Sequence, residues 1–214
     1  MKIMNRRVLG GLVAAAATTA TVLAMSGPAQ ATNPYTPGGG PAADFRATNL
    51  TFTDVDAGAT LECEQVNLGG SIVNPGSSRA HSAVAGELDD IEAVNCNNDY
   101  FGATSINLTG TWDFFVTGDP TGGLWPVELR DVSANVAAVG CSFTAKGPGG
   151  TSGTISGTFN PVTQKFAVTG DNLEVNSAVG SCWIIGVGNG NDVEVAGTWT
   201  NVPPAGNSPF SLTH

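Results

Sequence analysis

Ile106-Asn107-Leu108-Thr109-Gly110-Thr111-Trp112 and Val193-Glu194-Val195-Ala196-Gly197-Thr198-Trp199 are written to one pattern: alternate apolar residues, then Gly-Thr-Trp. A period of two places the apolar side chains on one face of a β-strand, with the Gly and the Trp in phase with them. A residue without a side chain at that phase makes room for a neighbour or a bulge, and the Trp that follows is a large core residue. Trp112 and Trp199 are therefore expected in the core.

The match extends backwards from both stretches. Cys63 and Cys96 precede the first, and Cys141 and Cys182 precede the second. Cys96 lies 14 residues before Gly110, and Cys182 lies 15 before Gly197. Gly86-Glu87-Leu88 leads to Ala93-Val94-Asn95-Cys96, much as Gly170-Asp171-Asn172-Leu173 leads to Ala178-Val179-Gly180-Ser181-Cys182. The chain reads as an internal duplication. Four cysteines allow three pairings, and the repeat favours Cys63 with Cys96 and Cys141 with Cys182, because each copy then closes on itself. Four zinc ligands would call for a close Cys-x-x-Cys pair, which the chain lacks.

Disulfides imply an oxidising compartment. The N-terminus agrees: Lys2, Arg6 and Arg7, an Ala-rich apolar run from Val8 to Met25, then Ala29-Gln30-Ala31 as a small-x-small cleavage site. Residues 1–31 read as a secretory signal peptide, which leaves no transmembrane segment after cleavage and a secreted protein. The remaining 183 residues hold five basic residues against 18 acids, a net charge of −13. Such a balance disfavours nucleic acid and anionic membrane surfaces as partners.

Residues 32–42 are rich in Pro and Gly and read as a disordered leader. Residues 43–214 read as a single all-β domain built of two related halves. Phe45 to Thr53, Thr60 to Val66, His81 to Cys96, Thr104 to Thr117, Leu124 to Arg130 and Val132 to Lys146 all alternate, with a slip near Leu68-Gly69-Gly70. Thr154 to Asn160 and Lys165 to Thr169 suggest a hairpin. Leu173 to Asn176, Ser181 to Val187, Asp192 to Thr200 and a short strand at Phe210 and Leu212 complete the series. About ten short strands with tight turns predict a disulfide-stapled β-barrel or β-sandwich.

Residues suited to chemistry are few. The chain has two histidines, His81 and His214, and no Gly-x-Ser-x-Gly elbow. Glu62, Glu64, Glu128, Glu174 and Glu194 are the carboxylates from which a glycosidase pair would be drawn. Asp54-Val55-Asp56-Ala57-Gly58 lacks the third oxygen ligand and the closing Glu of a calcium loop, so a turn is expected there. Glu87, Asp89, Asp90 and Glu92 read as a solvated sheet edge. No cofactor and no metal is expected. Trp125, between Gly123 and Pro126, and Trp183, out of phase with Cys182 and Ile184, are the candidate ligand-binding residues.

Leu61-Glu62-Cys63, Leu68-Gly69-Gly70-Ser71-Ile72, Cys96, Trp125-Pro126, and Cys141 with Cys182 before Gly197-Thr198-Trp199 resemble the pattern of a group of secreted actinobacterial β-proteins of unassigned function. A more distant similarity, to the secreted activator-of-alkane-oxidation proteins, implies a role at apolar interfaces. Those proteins place Pro before Trp, where this chain has Trp125-Pro126.

The leading expectation is a non-catalytic protein that binds or coats something outside the cell or in its envelope: a glycan, the envelope itself or an apolar surface. The alternative is a carrier of a small apolar ligand inside a β-barrel cavity. A secreted glycan hydrolase is third.

Overall fold

A computed structural model describes residues 33–214, so the expected signal peptide lies outside the described residues. The strands are β1 (Thr36–Gly40), β2 (Ala42–Asp54), β3 (Ala59–Ile72), β4 (Val84–Asn98), β5 (Gly102–Leu108), β6 (Trp112–Val116), β7 (Trp125–Val132) and β8 (Ala134–Ala138). There follow β9 (Cys141–Lys146), β10 (Gly153–Asn160), β11 (Lys165–Asp171), β12 (Leu173–Gly180), β13 (Asp192–Ala196), β14 (Thr198–Asn201) and β15 (Ser208–Thr213). The fold is all-β, as the alternation predicts.

Thirteen of the strands form one antiparallel sheet. Its pairings reduce to eight ribbons in chain order: β2, β3, β4, then β5 with β6, β7 with β8, β9 with β10, β11 with β12, and β13 with β14. Each ribbon pairs with the next, and the last returns to the first, because β13 and β14 both pair with β2. Closure leaves the circuit without an edge strand. The acidic run on β4 is accordingly no edge: β4 pairs with β3 and with β6, and Glu87, Asp89, Asp90 and Glu92 simply face outward. Outward positions elsewhere are also polar, as at Thr48, Glu62, Glu64 and Asn95. That is the reverse of the apolar band a membrane-spanning barrel turns to lipid. Among the described residues no helix is long and apolar enough to cross a membrane.

Five ribbons are interrupted at mid-height. The sequence reads Thr104 to Thr117 as one strand, but it breaks at residues 109–111, between β5 and β6. The two Gly-Thr-Trp motifs both lie at such joints, in the fourth and the eighth ribbon. Gly110 has φ +83° and Gly197 φ +151°, conformations that side chains resist. Trp112 and Trp199 then turn inward and are fully buried. A Cβ at Gly110 would meet open space, whereas one at Gly197 would collide with Leu50 Cδ1. Gly110→Ala should thus cost about 1–2 kcal/mol of backbone strain, and Gly197→Ala about 1–3 kcal/mol more for overpacking. Urea midpoints of the two variants check the order; equal losses would remove Leu50 from the account.

The disulfides pair Cys63 with Cys96 and Cys141 with Cys182, as the repeat predicts. The first links directly opposed residues of β3 and β4. The second ties β9 to a short 3-10 turn, Cys182–Ile185. The sequence reads Ser181 to Val187 as a strand. There the chain coils instead, and Gly186 at φ +81° caps the turn.

The ribbon connections define two ends. The lower end carries the connections β3–β4, β6–β7 and β10–β11 and is filled by aromatic rings. Phe114 lies 5.8 Å from Phe45, 6.0 Å from Phe159 and 5.4 Å from Phe210. Phe210 belongs to β15, which pairs with β1 as a separate two-stranded sheet. The expected disordered leader is therefore mostly ordered: Tyr35 is buried, β1 covers residues 36–40 and β2 starts at Ala42. Its order comes from a partner far along the chain, since Thr36 pairs with Thr213.

Tyr35 reports on this closure. Its hydroxyl donates to the Ala83 carbonyl at 2.8 Å, and burial pushes its pKa up to about 12, against a smaller opposing pull from Arg79. In the unfolded chain the phenol ionises near 10, so the native state holds its proton to higher pH and stability falls as pH rises from 10 to 12. The loss should be about 2–3 kcal/mol. Denaturant midpoints compared at pH 9 and 12 would show it, and Tyr35→Phe should lack that component.

Candidate functional site

The two ends offer different chemistry. At the lower end both histidines approach one carboxylate. His81 Nε2 lies 3.5 Å and His214 Nε2 3.8 Å from Asp119 Oδ1. Tyr35 stacks on His81 with ring centroids 5.7 Å apart, and Trp125 packs on His214 at 4.9 Å. Trp125 is only 4% exposed, which corrects its assignment as a surface ligand platform. Its flanking Gly and Pro suggest a loose edge, but the circuit has no edge, and Tyr35 and His214 cover the ring from the two terminal segments.

The glutamates do not converge across a cleft. Glu62 and Glu64 share a shallow outer depression with Asp99. Glu128 is held by Arg130 at 2.9 Å, Glu174 accepts from the Gly149 amide at 2.6 Å, and Glu194 is exposed on β13. Asp54, in the expected turn, accepts from the Ala57 amide at 2.8 Å and from Asn191 Nδ2 with both oxygens.

The upper end carries the connections β2–β3, β4–β5, β8–β9 and β12–β13. Here alanines share the barrel interior with larger apolar side chains, among them Phe52, Leu61, Ile106 and Phe143. Ala59, Ala134, Ala138 and Ala145 face inward beside Val136 and Val193, and a cavity of about 30 Å³ remains. Phe101, from the β4–β5 connection, and Ile185 and Val187, from the β12–β13 connection, close it above. A void of that size holds no more than a water, so both halves of the barrel interior are filled by apolar side chains.

Around this end several large apolar side chains are exposed among acids. Trp183 is 76% and Ile184 63% exposed, and Val55, Tyr100, Val139 and Val179 are also exposed large side chains on the same end. The 3-10 turn explains why Trp183 points out: Cys182 is drawn inward by its bond to Cys141, and Ile185 faces the cavity. The turn is further fixed by the Ser181 amide donating to the Gly140 carbonyl and by Asn191 Nδ2 donating to Gly186 O at 2.9 Å. Of the two tryptophans singled out in the sequence, the structure thus exposes Trp183 and buries Trp125. The alanine lining carries no signal in a linear reading, because its members come from β3, β8 and β9.

No protein-family model matches the chain, and neither a curated protein nor a solved structure matches it.

Proposed function

We propose that this is a secreted, non-catalytic binding protein that works outside the cell or in its envelope, and that it engages an uncharged apolar partner through the Trp183 end of the barrel. The observation that carries this reading is the exposure of Trp183 and Ile184 on a turn bolted to the barrel by a disulfide. A fixed, exposed aromatic and aliphatic pair, on an end that exposes further apolar side chains, marks an interaction surface. Its rigidity lowers the ordering cost of binding. The net charge of −13 on residues 32–214 and the acids Asp56, Asp99 and Asp192 around this end argue for a neutral partner over an anionic one. The two cysteine pairs, matched in their distance to Gly-Thr-Trp, support an origin by duplication of a four-ribbon unit.

Trp183 is also a built-in reporter. The other three tryptophans are buried, so a small aqueous quencher acts mainly on Trp183. Vesicles of phosphatidylcholine should protect it and carry the protein down on sedimentation, and Trp183→Ser with Ile184→Ser should abolish both effects. Protection by soluble glycans without any vesicle binding would replace the apolar partner by a sugar. Absence of both would sink the reading.

A further inference from the structure

The four connections of the upper end are spaced evenly around the circuit. β2–β3 joins the first and second ribbons, β4–β5 the third and fourth, β8–β9 the fifth and sixth, and β12–β13 the seventh and eighth. Each carries an exposed large apolar side chain: Val55, Tyr100, Val139, and the pair Trp183 and Ile184, in that order. Among the described residues the lower end also exposes Leu124, Val162 and Val202, but its β3–β4 connection exposes none, and the exposed tyrosine and tryptophan both stand at the upper end.

The backbones of these tips are pinned. The Val55 amide donates to the Asp192 carbonyl at 2.9 Å, and Asp56 Oδ2 accepts from the Asp192 amide at 3.0 Å. Asn98 Oδ1 accepts from the Tyr100 and Phe101 amides at 3.0 and 3.1 Å. The Cys141–Cys182 bond and the Ser181 amide on the Gly140 carbonyl tie the other two connections to each other. A partner that takes these side chains meets little ordering cost.

Their setting selects the partner. Exposed acids stand among the tips: Asp56 follows Val55, Asp99 precedes Tyr100, and Asp192 holds the Val55 amide. The core of a protein–protein interface is continuous and depleted of charge, which separated tips do not supply. A small ligand does not reach side chains on four sides of a rim. A lipid headgroup layer is broad and flat, takes tryptophan and tyrosine at its own level, and leaves the acids hydrated. The acids repel anionic headgroups and sit favourably beside the quaternary ammonium of a choline headgroup, which also lies well on the faces of Trp and Tyr.

We infer that the barrel docks end-on against a zwitterionic, choline-bearing lipid surface, with all four upper connections touching it at once. The inference rests on the apolar partner proposed above and adds its chemistry and its footprint, and a failure of the footprint leaves the Trp183 contact intact.

The test is partition of the full-length secreted protein onto phosphatidylcholine vesicles, read by sedimentation, with near-ultraviolet circular dichroism unchanged in every variant. Tyr100→Ser and Val139→Asp should each weaken partition about fivefold, and Val139→Trp should tighten it about fivefold. Val162→Asp, at the lower end and more exposed than any of the tips, should change nothing. Replacing part of the phosphatidylcholine by phosphatidylglycerol should weaken binding at low salt. Wild-type partition in the Tyr100 and Val139 variants, with Trp183→Ser and Ile184→Ser still abolishing it, overturns end-on docking and leaves the Trp183 reading standing. An equal loss in Val162→Asp, tighter binding to the anionic vesicles, or no partition of the wild type also overturns the inference.

Discussion

Trp199→Ala should remove about 3–5 kcal/mol of stability, enough to take a domain of ordinary stability close to unfolding and to lower secreted yield. Trp199 is fully buried at the joint between β13 and β14 and stacks on Phe166, with centroids 5.5 Å apart and planes 14° from parallel. Trp112→Ala should cost a similar amount, since Trp112 holds the equivalent joint between β5 and β6. The conservative variants should differ. Trp112 Nε1 donates to the Thr109 carbonyl at 3.3 Å, whereas Trp199 Nε1 is buried without a partner. Replacing each by Phe loses a hydrogen bond only at Trp112, so Trp112→Phe should be the costlier by about 1 kcal/mol. Urea denaturation followed by circular dichroism measures all four. A Trp199→Ala protein as stable as wild type would contradict the core assignment.

Removing the Cys63–Cys96 bond by a double Cys→Ala change should cost about 3–4 kcal/mol, the chain-entropy value for loops of this size. The linked residues are 33 apart in sequence and directly opposed on adjacent strands, so the native strands stay paired and the loss is borne by the unfolded state. Cys141 and Cys182 are 41 apart and should give a comparable global loss. Their removal has a second, local effect. Cys182 sits in a turn rather than a strand, so amide hydrogen exchange should accelerate across residues 180–191 well below the global unfolding energy. Peptide mapping without reductant should recover the same two linkages. Equal exchange in the two double variants would mean that the Asn191 and Ser181 contacts suffice to hold the turn.

Features that depend on neighbours close in sequence, or on strand phase, were legible in advance. The all-β class, the burial of Trp112 and Trp199, the cysteine pairing and the turn at Asp54 all follow from period-two alternation, spacing or turn chemistry. The errors have a common cause in distant partners. Residues 34–42 have the composition of a linker, and only pairing with β15 gives them structure. Trp125 has the flanks of an exposed residue, and only the two terminal segments bury it. The Ser181–Val187 segment alternates like a strand, but the tie from Cys182 to β9 bends it into a turn. Phase makes Trp183 a candidate for exposure but ranks it behind Trp125; the turn that follows Cys182 decides between them. The small void at the upper end was not legible, because Ala59, Ala134, Ala138 and Ala145 meet only when the circuit closes around them.

The pairing of β1 with β15 also sets how the molecule bears load. Thr36 lies opposite Thr213, so tension between the two ends of the domain meets the ladder at its free end and opens it one rung at a time. Peeling requires far less force than sliding paired strands past each other. The same pull draws Phe210 out of the lower core while the eight-ribbon circuit, which lies outside the line of force, stays closed. A pulled molecule would therefore yield first at the end away from Trp183, and its binding end would be the last part to feel the strain.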